Sequence, residues 1–179
     1  MLLSRTYERN AAGEPDKITK EDGHYTRIEY DDAGRVKAER YFDDVDTLLD
    51  EVTYLYDLDG NRTQRTSSAG VETYVYESGS RLTQVLLDGV ETQRFEYDNN
   101  GRVTRIVRDG LDQRLTWDAL DRLVRIEDQN FVEEPVDFAY DGQGRRVSAG
   151  RSSSAQRYVV GPTGNQCQQS LESDPFPII

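Results

Sequence analysis

One phrase returns six times along this chain of 179 residues. An aromatic residue is followed by an acidic one, a short polar stretch, a Gly or small residue, and then an Arg or Asn. The copies are Tyr30-Asp31 with Gly34-Arg35, Tyr56-Asp57 with Gly60-Asn61, and Tyr76-Glu77 with Ser80-Arg81. They continue with Tyr97-Asp98 and Gly101-Arg102, Trp117-Asp118 and Asp121-Arg122, and Tyr140-Asp141 and Gly144-Arg145. The aromatic residues lie 26, 20, 21, 20 and 23 positions apart. A period of this length marks one supersecondary unit stacked many times.

The copy from Phe95 to Leu115 shows what one unit is. Phe95-Glu96-Tyr97 alternates aromatic and polar, the period of a half-buried strand. Asp98 to Gly101 is a turn: Asp and Asn bond their own backbone, and Gly accepts positive φ. Arg102 to Arg108 is rich in β-branched residues and predicts a second strand, closed by the hairpin dipeptide Asp109-Gly110. Links this short join antiparallel strands. Two residues before each key aromatic stands Ile28, Tyr54, Tyr74, Phe95, Leu115 or Phe138. In the best copies apolar residues recur six and nine residues after it: Leu82 and Val85, Val103 and Ile106, and Leu123 and Ile126. A gap of three breaks strict alternation and points either to a bulge or to a strand that starts late. Asp88-Gly89 and Gln129-Asn130 mark further second turns. A degenerate copy is expected at Tyr158, Val160 and Gly164-Asn165, and Tyr7 suggests a decayed first copy, although Gly13 follows too far along for the pattern.

The expected fold is all-β: antiparallel hairpin repeats forming one curved or spiralling meander of about fourteen strands, beyond the roughly ten an open sheet carries before it curls or flattens. Residues 1–24 are assigned to a decayed first repeat or lead-in strands, 25–166 to the repeat sheet, and 167–179 to a tail. No linker interrupts the sheet, and the length suits one domain. Apolar residues make up 35% and charged residues 31% of the chain, a thin core that suits a single-layer sheet with one wet face. The net charge of −12 disfavours nucleic acid as a partner, since phosphate binding needs a clustered basic surface and Arg here falls once per repeat next to Asp. No apolar run reaches the ~20 residues of a membrane-spanning helix, and Met1 to Arg5 lacks the pattern of a signal peptide. Cys167 is the single cysteine, so no internal disulfide framework exists, and no basic group beside it in sequence activates the thiol.

The pattern Tyr-Asp-x-x-Gly-Arg-Leu/Val-Thr with a second Gly about a dozen residues on resembles the YD repeat of the Rhs and teneurin group. Tyr97 to Gly110 is close to that pattern and the resemblance covers roughly residues 25 to 166. Trp117 stands for Tyr, Glu77 for Asp, Ser80 and Asp121 for Gly, and Asn61 for Arg. The resemblance implies a β-sheet that spirals into a hollow shell. In bacterial members the shell holds a toxic C-terminal domain that is delivered into other cells; in teneurins it takes part in adhesion. It implies a secreted or cell-surface location, with partners that are further shell segments or other copies meeting at sheet edges, and an enclosed toxin domain. Such shells come from much longer chains. The family's C-terminal Asp-Pro-x-Gly signature is not completed by Asp174-Pro175-Phe176-Pro177. The expectation is therefore a piece of shell wall with no catalytic role and no cofactor; the alternative is a carbohydrate-binding or adhesive surface module.

Two chemical readings compete with this one. Paired carboxylates hydrolyse glycosides when about 5 to 9 Å apart, and the chain has 34 acidic residues. Yet Asp31, Asp57, Asp98, Asp118 and Asp141 each follow a strand aromatic, open a turn, and have an Arg or Asn four positions on. A catalytic pair occurs once; a residue in every unit serves the unit. His24 is alone, and the nearest approach to a calcium loop, Asp57-Leu58-Asp59-Gly60-Asn61, lacks the Asp-x-Asp-x-Asp-Gly pattern. The aromatic ladder of Tyr30, Tyr56, Tyr76, Tyr97, Trp117 and Tyr140 could stack sugars or form the spine of the sheet by stacking on itself, with the spine favoured.

Overall fold

A computed structural model describes residues 4–130, 134–151, 156–160 and 166–170 of the chain. The regular elements in them are all β-strands, sixteen in number, and strand order follows chain order. The chain divides into two units, Met1–Thr92 and Gln93–Ile179. The first holds β1 (Arg5–Arg9), β2 (Pro15–Lys20), β3 (Tyr25–Tyr30), β4 (Val36–Phe42), β5 (Leu48–Tyr56), β6 (Arg62–Ser67), β7 (Gly70–Glu77), β8 (Arg81–Leu87) and the start of β9 (Val90–Tyr97). The second holds the rest of β9, β10 (Val103–Arg108), β11 (Leu111–Trp117), β12 (Leu123–Asp128), β13 (Val136–Tyr140), β14 (Arg146–Gly150), β15 (Gln156–Val160) and β16 (Gln166–Ser170). Pairings within each unit are antiparallel, for example Tyr54↔Arg65 in the first and Leu115↔Ile126 in the second. The expected all-β meander of hairpins is thus the observed fold. The two strands beyond the expected number are β1 and β2, because the lead-in region forms a complete hairpin. Cys167 lies in β16, opposite Val159. The expected turn at Gly164-Asn165 and the tail beyond Ser170 lie outside the described residues.

A bulge explains the gap of three. The register shifts beside each key aromatic: Tyr56 faces Arg62 whereas Leu55 faces Gln64, so Thr63 is the extra residue. Tyr76 faces Leu82 and Val75 faces Gln84, with Thr83 left over; Trp117 faces Leu123 and Thr116 faces Arg125, with Val124 left over. One inserted residue restores alternation after it. Positions six and nine after the aromatic therefore share its face. Val103 lies opposite Tyr97 and Ile106 opposite Phe95.

The turns come in two kinds. On alternate hairpins the link is the two-residue Asp88-Gly89 or Asp109-Gly110, with φ of 49° and 82°, and 49° and 78°. Positive φ at both central positions twists the hairpin the way the strands twist. The first unit has a longer link in place of one tight turn. Asp43 Oδ1 accepts the backbone N–H groups of Val45 and Thr47, and Asp46 takes φ 67°. That five-residue turn, together with the nine-residue β5, stretches the first spacing to 26.

Burial is shallow, as one layer requires. Among the described residues the buried apolar side chains are Tyr25, Ala38, Val52 and Val85. The face opposite the ladder carries ion pairs. Arg40 joins Glu29 to Glu51 in the first unit. In the second, Arg105 joins Glu96 at 2.8 Å to Asp112 at 2.7 Å. Tyr25 belongs to that opposite face. Its ring stacks on Phe42 at 4.8 Å, Lys17 Nζ sits 4.5 Å from its centroid, and its hydroxyl donates to Asp46 Oδ1 at 2.8 Å.

Candidate functional site

Five of the six phrases build the same turn, and the sixth, at Glu77, closes a three-residue link instead. Asp31 Oδ1 accepts the N–H groups of Ala33 at 3.0 Å and Arg35 at 2.9 Å. Its Oδ2 accepts Arg35 Nε and Nη2, both at 2.7 Å. Backbone bonds close the loop from Asp31 N–H to Arg35 O and from Gly34 N–H to Asp31 O, which is possible because Gly34 takes φ 76°. Asp98 with Arg102, Asp118 with Arg122 and Asp141 with Arg145 repeat the arrangement. Asp57 keeps it with an amide, accepting Asn61 N–H at 2.8 Å and Nδ2 at 2.9 Å. Gly60, Gly101 and Gly144 take φ of 87°, 81° and 78° where the turn needs it. Asp121 and Ser80 do so at 59° and 58°, and Arg81 pairs with Glu77 at 2.8 Å.

These bonds lower the pKa values of the turn carboxyls. The Arg35 backbone N–H, then its guanidinium, holds Asp31 below the usual carboxylate range. Asn61 does this for Asp57, and Arg145 for Asp141. At Asp98 and Asp118 desolvation pushes upward, but the N–H groups and guanidinium of Arg102 and Arg122 outweigh it. A carboxylate held in this way has its oxygens engaged by donors of its own turn.

The ladder residues reach back to the preceding hairpin. Tyr56 Oη donates to Val36 O at 2.7 Å, Tyr76 Oη to Arg62 O at 3.0 Å, Trp117 Nε1 to Val103 O at 2.7 Å and Tyr140 Oη to Leu123 O at 2.8 Å. The acceptor is in each case the residue just after the motif Arg or Asn. The motif Arg reaches forward. Arg35 Nη1 donates to Asp57 O at 3.1 Å and Arg102 Nη1 to Asp118 O at 3.0 Å. Arg35 also lies over the Tyr56 ring at 4.6 Å, and Arg122 over the Tyr140 ring at 4.8 Å. Neighbouring repeats within each unit are therefore stitched in both directions, as at Tyr56 with Arg35 and Trp117 with Arg102. The sequence suggested ring-on-ring stacking as the spine; these side chains instead join hairpins by hydroxyl or indole donors to carbonyls and by cations over rings. Trp117 fits because the slot needs a flat ring with a donor at its end.

Sequence reasoning left the first copy uncertain. In the structure Asn10 occupies the acidic slot, its Oδ1 accepting Ala12 and Glu14 N–H groups at 3.0 Å, and Tyr30 Oη reaches back to Pro15 O at 2.7 Å. The aromatic slot is filled by Arg9, whose Nη1 bonds Gly13 O. Tyr7 lies two residues earlier and is exposed. The signal was the five-residue spacing from Asn10 to Glu14, hidden by the change of both end residues.

A cluster on the ladder face was not singled out in the sequence. In three repeats the positions six and nine after the aromatic are not both apolar: Val36 with Glu39, Arg62 with Arg65, and Arg146 with Ala149. Tyr54 Oη and Tyr41 Oη both donate to Glu39 Oε2, at 2.8 and 3.1 Å. Tyr74 Oη donates to Glu72 Oε2 at 2.7 Å, and Arg65 Nη1 lies 3.3 Å from the same oxygen. Burial and then the bond to Glu39 push the Tyr54 hydroxyl up to about 12. Tyr41 and Tyr74 are raised by burial, reinforced by Glu39 and Glu72. The Arg62 guanidinium sits between two rings, 5.6 Å from the Tyr54 centroid and 4.5 Å from that of Tyr74. Among the described residues no group of three or more His, Cys, Asp or Glu side chains is placed to hold a metal ion. No helix of the described residues is long and apolar enough to cross a membrane.

None of the curated proteins matches the chain. Among solved structures, TcdB2-TccC3 without its hypervariable C-terminal region superposes with a TM-score of 0.69 at 16% identity, covering 97% of this chain and 10% of that one. TcdB2-TccC3-TEV gives 0.49 at 17% identity over 97% of this chain and 12% of that one. The Photorhabdus luminescens Tc holotoxin pore gives 0.48 at 15% identity over 95% and 12%. The chain thus spans about a tenth of the length of the solved chains it matches. The first likeness concerns the fold. The family profile described as teneurin YD-shell matches residues 7–159, from the Asn10 turn through the Tyr140 repeat and beyond, and by that match the chain belongs to the teneurin YD-shell family.

Proposed function

We propose that this chain is a non-catalytic stretch of wall in a YD-repeat shell, and that the shell encloses a toxin segment and serves its delivery outside the cell. The observation that carries this reading is the two-way stitch. Tyr56 reaches back to Val36 while Arg35 reaches forward to Asp57, so these two neighbouring repeats each donate to the other, and Trp117 to Val103 with Arg102 to Asp118 repeats the exchange. A sheet joined in this way extends by adding repeats, as the solenoid principle requires. The partners are further repeats of the same kind, meeting at sheet edges. Residues 25–166 form the body of the wall in this reading, 1–24 its lead-in and 167–179 its tail. The turn and ladder positions serve structure.

The test is light scattering with small-angle scattering on the isolated chain. A curved particle with monomer mass, or open-ended association through edges, supports a wall segment whose compartment belongs to a longer protein. A closed oligomer with a hollow profile supports a compartment built from several copies. A compact particle without concavity overturns the shell reading.

A further inference from the structure

We propose that Arg62, held between the rings of Tyr54 and Tyr74, is a binding point for a carboxylate on a polypeptide lying along the ladder face. The slot that Arg62 fills is opposite Tyr56; in the other hairpins it holds Val36 opposite Tyr30, Leu82 opposite Tyr76, Val103 opposite Tyr97 and Leu123 opposite Trp117, and a second arginine, Arg146, opposite Tyr140, where the ring contact is to Phe138 at 5.8 Å. An apolar position has become a cation, and its surroundings are built for one. The two flanking rings approach its guanidinium carbon at 5.6 and 4.5 Å. The hydroxyls of those same rings donate to carboxylates, Tyr54 to Glu39 and Tyr74 to Glu72. A phenol that donates to a carboxylate has a more electron-rich ring and holds a cation more strongly.

The guanidinium has no ion-pair or hydrogen-bond acceptor among the described residues. Glu39 is taken by two tyrosine hydroxyls, and Glu72 by Tyr74 and Arg65. Ring contacts satisfy the faces of a guanidinium and leave the donors at its edge, which match a carboxylate in bidentate fashion. Glu39 and Glu72 lie on the same patch, so a singly charged carboxylate suits it better than a doubly charged phosphate. Tyr41, Tyr54 and Tyr74 add flat, half-buried surface for an extended chain. This rests on the shell-wall reading in one respect, that the shell encloses a polypeptide segment; it adds that the ladder face meets that segment and the chemistry the face selects.

The test uses the full chain and three probes at low salt: an amidated glutamate-serine repeat peptide, its glutamine-serine counterpart, and inorganic phosphate. Binding is followed by titration calorimetry and by the Arg62 Nε–H resonance. The acidic peptide is expected to bind and to shift that resonance, with the glutamine peptide silent and phosphate weaker. Arg62→Leu, which places here the residue found opposite Tyr76 and Trp117, is expected to fold and to lose about tenfold or more in affinity. Arg62→Lys keeps the charge without the fork and should fall between. No binding by the native chain overturns the proposal. So does undiminished binding by Arg62→Leu with a native circular dichroism spectrum, or phosphate binding tighter than the acidic peptide. Scattering profiles of Arg62→Leu and the native chain judge the shell reading separately, since the variant should leave them unchanged.

Discussion

Removing the Tyr56 hydroxyl tests the stitch directly. Tyr56→Phe deletes one donor, the 2.7 Å bond to Val36 O, and keeps the ring beneath Arg35. A bond of this kind contributes about 1 kcal/mol net, and a stranded half-buried carbonyl adds to the loss, so the expected cost is about 1 to 2 kcal/mol. Tyr56→Leu also removes the ring on which Arg35 lies at 4.6 Å, a contact of about 0.5–1 kcal/mol, along with part of the buried apolar area. Its total should reach about 3 kcal/mol. Urea unfolding followed by far-ultraviolet circular dichroism measures both. With m near 2 kcal/mol/M, a loss of 1 kcal/mol moves the midpoint by about 0.5 M. The lost bond joins two hairpins, so the transition should also broaden as coupling between neighbours weakens. A Phe variant within about 0.3 kcal/mol of the native chain would refute the argument, as would one equal in cost to the Leu variant.

Three further outcomes are expected. The turn carboxyls of Asp31, Asp57, Asp98, Asp118 and Asp141 titrate below their unfolded value, so their contribution is present above about pH 4 and is lost as pH falls through the folded values; thermal melts from pH 5 to 2 should drop, with a shallower drop in Asp98→Asn. Val85→Ala, at a side chain 5% exposed, should cost about 1.5 kcal/mol in urea unfolding for the two carbons removed. Ser80→Gly relieves a φ of 58° and should raise stability by about 0.5 kcal/mol, and a fall in melting temperature would mean that the Asn61 Nδ2 bond to Ser80 Oγ matters more than the strain.

Much of the fold was legible because its determinants are local. A turn of five residues needs Asp at its start, Gly or a tolerant residue near its end and a donor after it, and all of these lie within one short window, as at Asp98 to Arg102. The same logic made Asp109-Gly110 readable as a tight hairpin. Where the window changed its end residues, as at Asn10 and Glu14, or its aromatic, as at Phe42-Asp43, the turn formed without being recognisable, since backbone geometry tolerates more side chains than the pattern names.

The purpose of the tyrosine hydroxyls and of the Arg62 cluster was not legible in this way. Tyr56 and Val36 lie 20 residues apart, and Tyr74 is 12 positions from the Arg62 it covers, so neither contact has a local signature. The order of residues alone determined that this chain makes antiparallel hairpins of one repeated kind, because strand period and turn chemistry act within a few residues. Only the tertiary structure decided which face each side chain shares. The bulge beside every ladder aromatic shifts alternation by one residue, and it is set by pairing with the neighbouring strand, as at Thr63 between Tyr56↔Arg62 and Leu55↔Gln64. That shift places Arg62 and Arg65 together among the tyrosines of the ladder face.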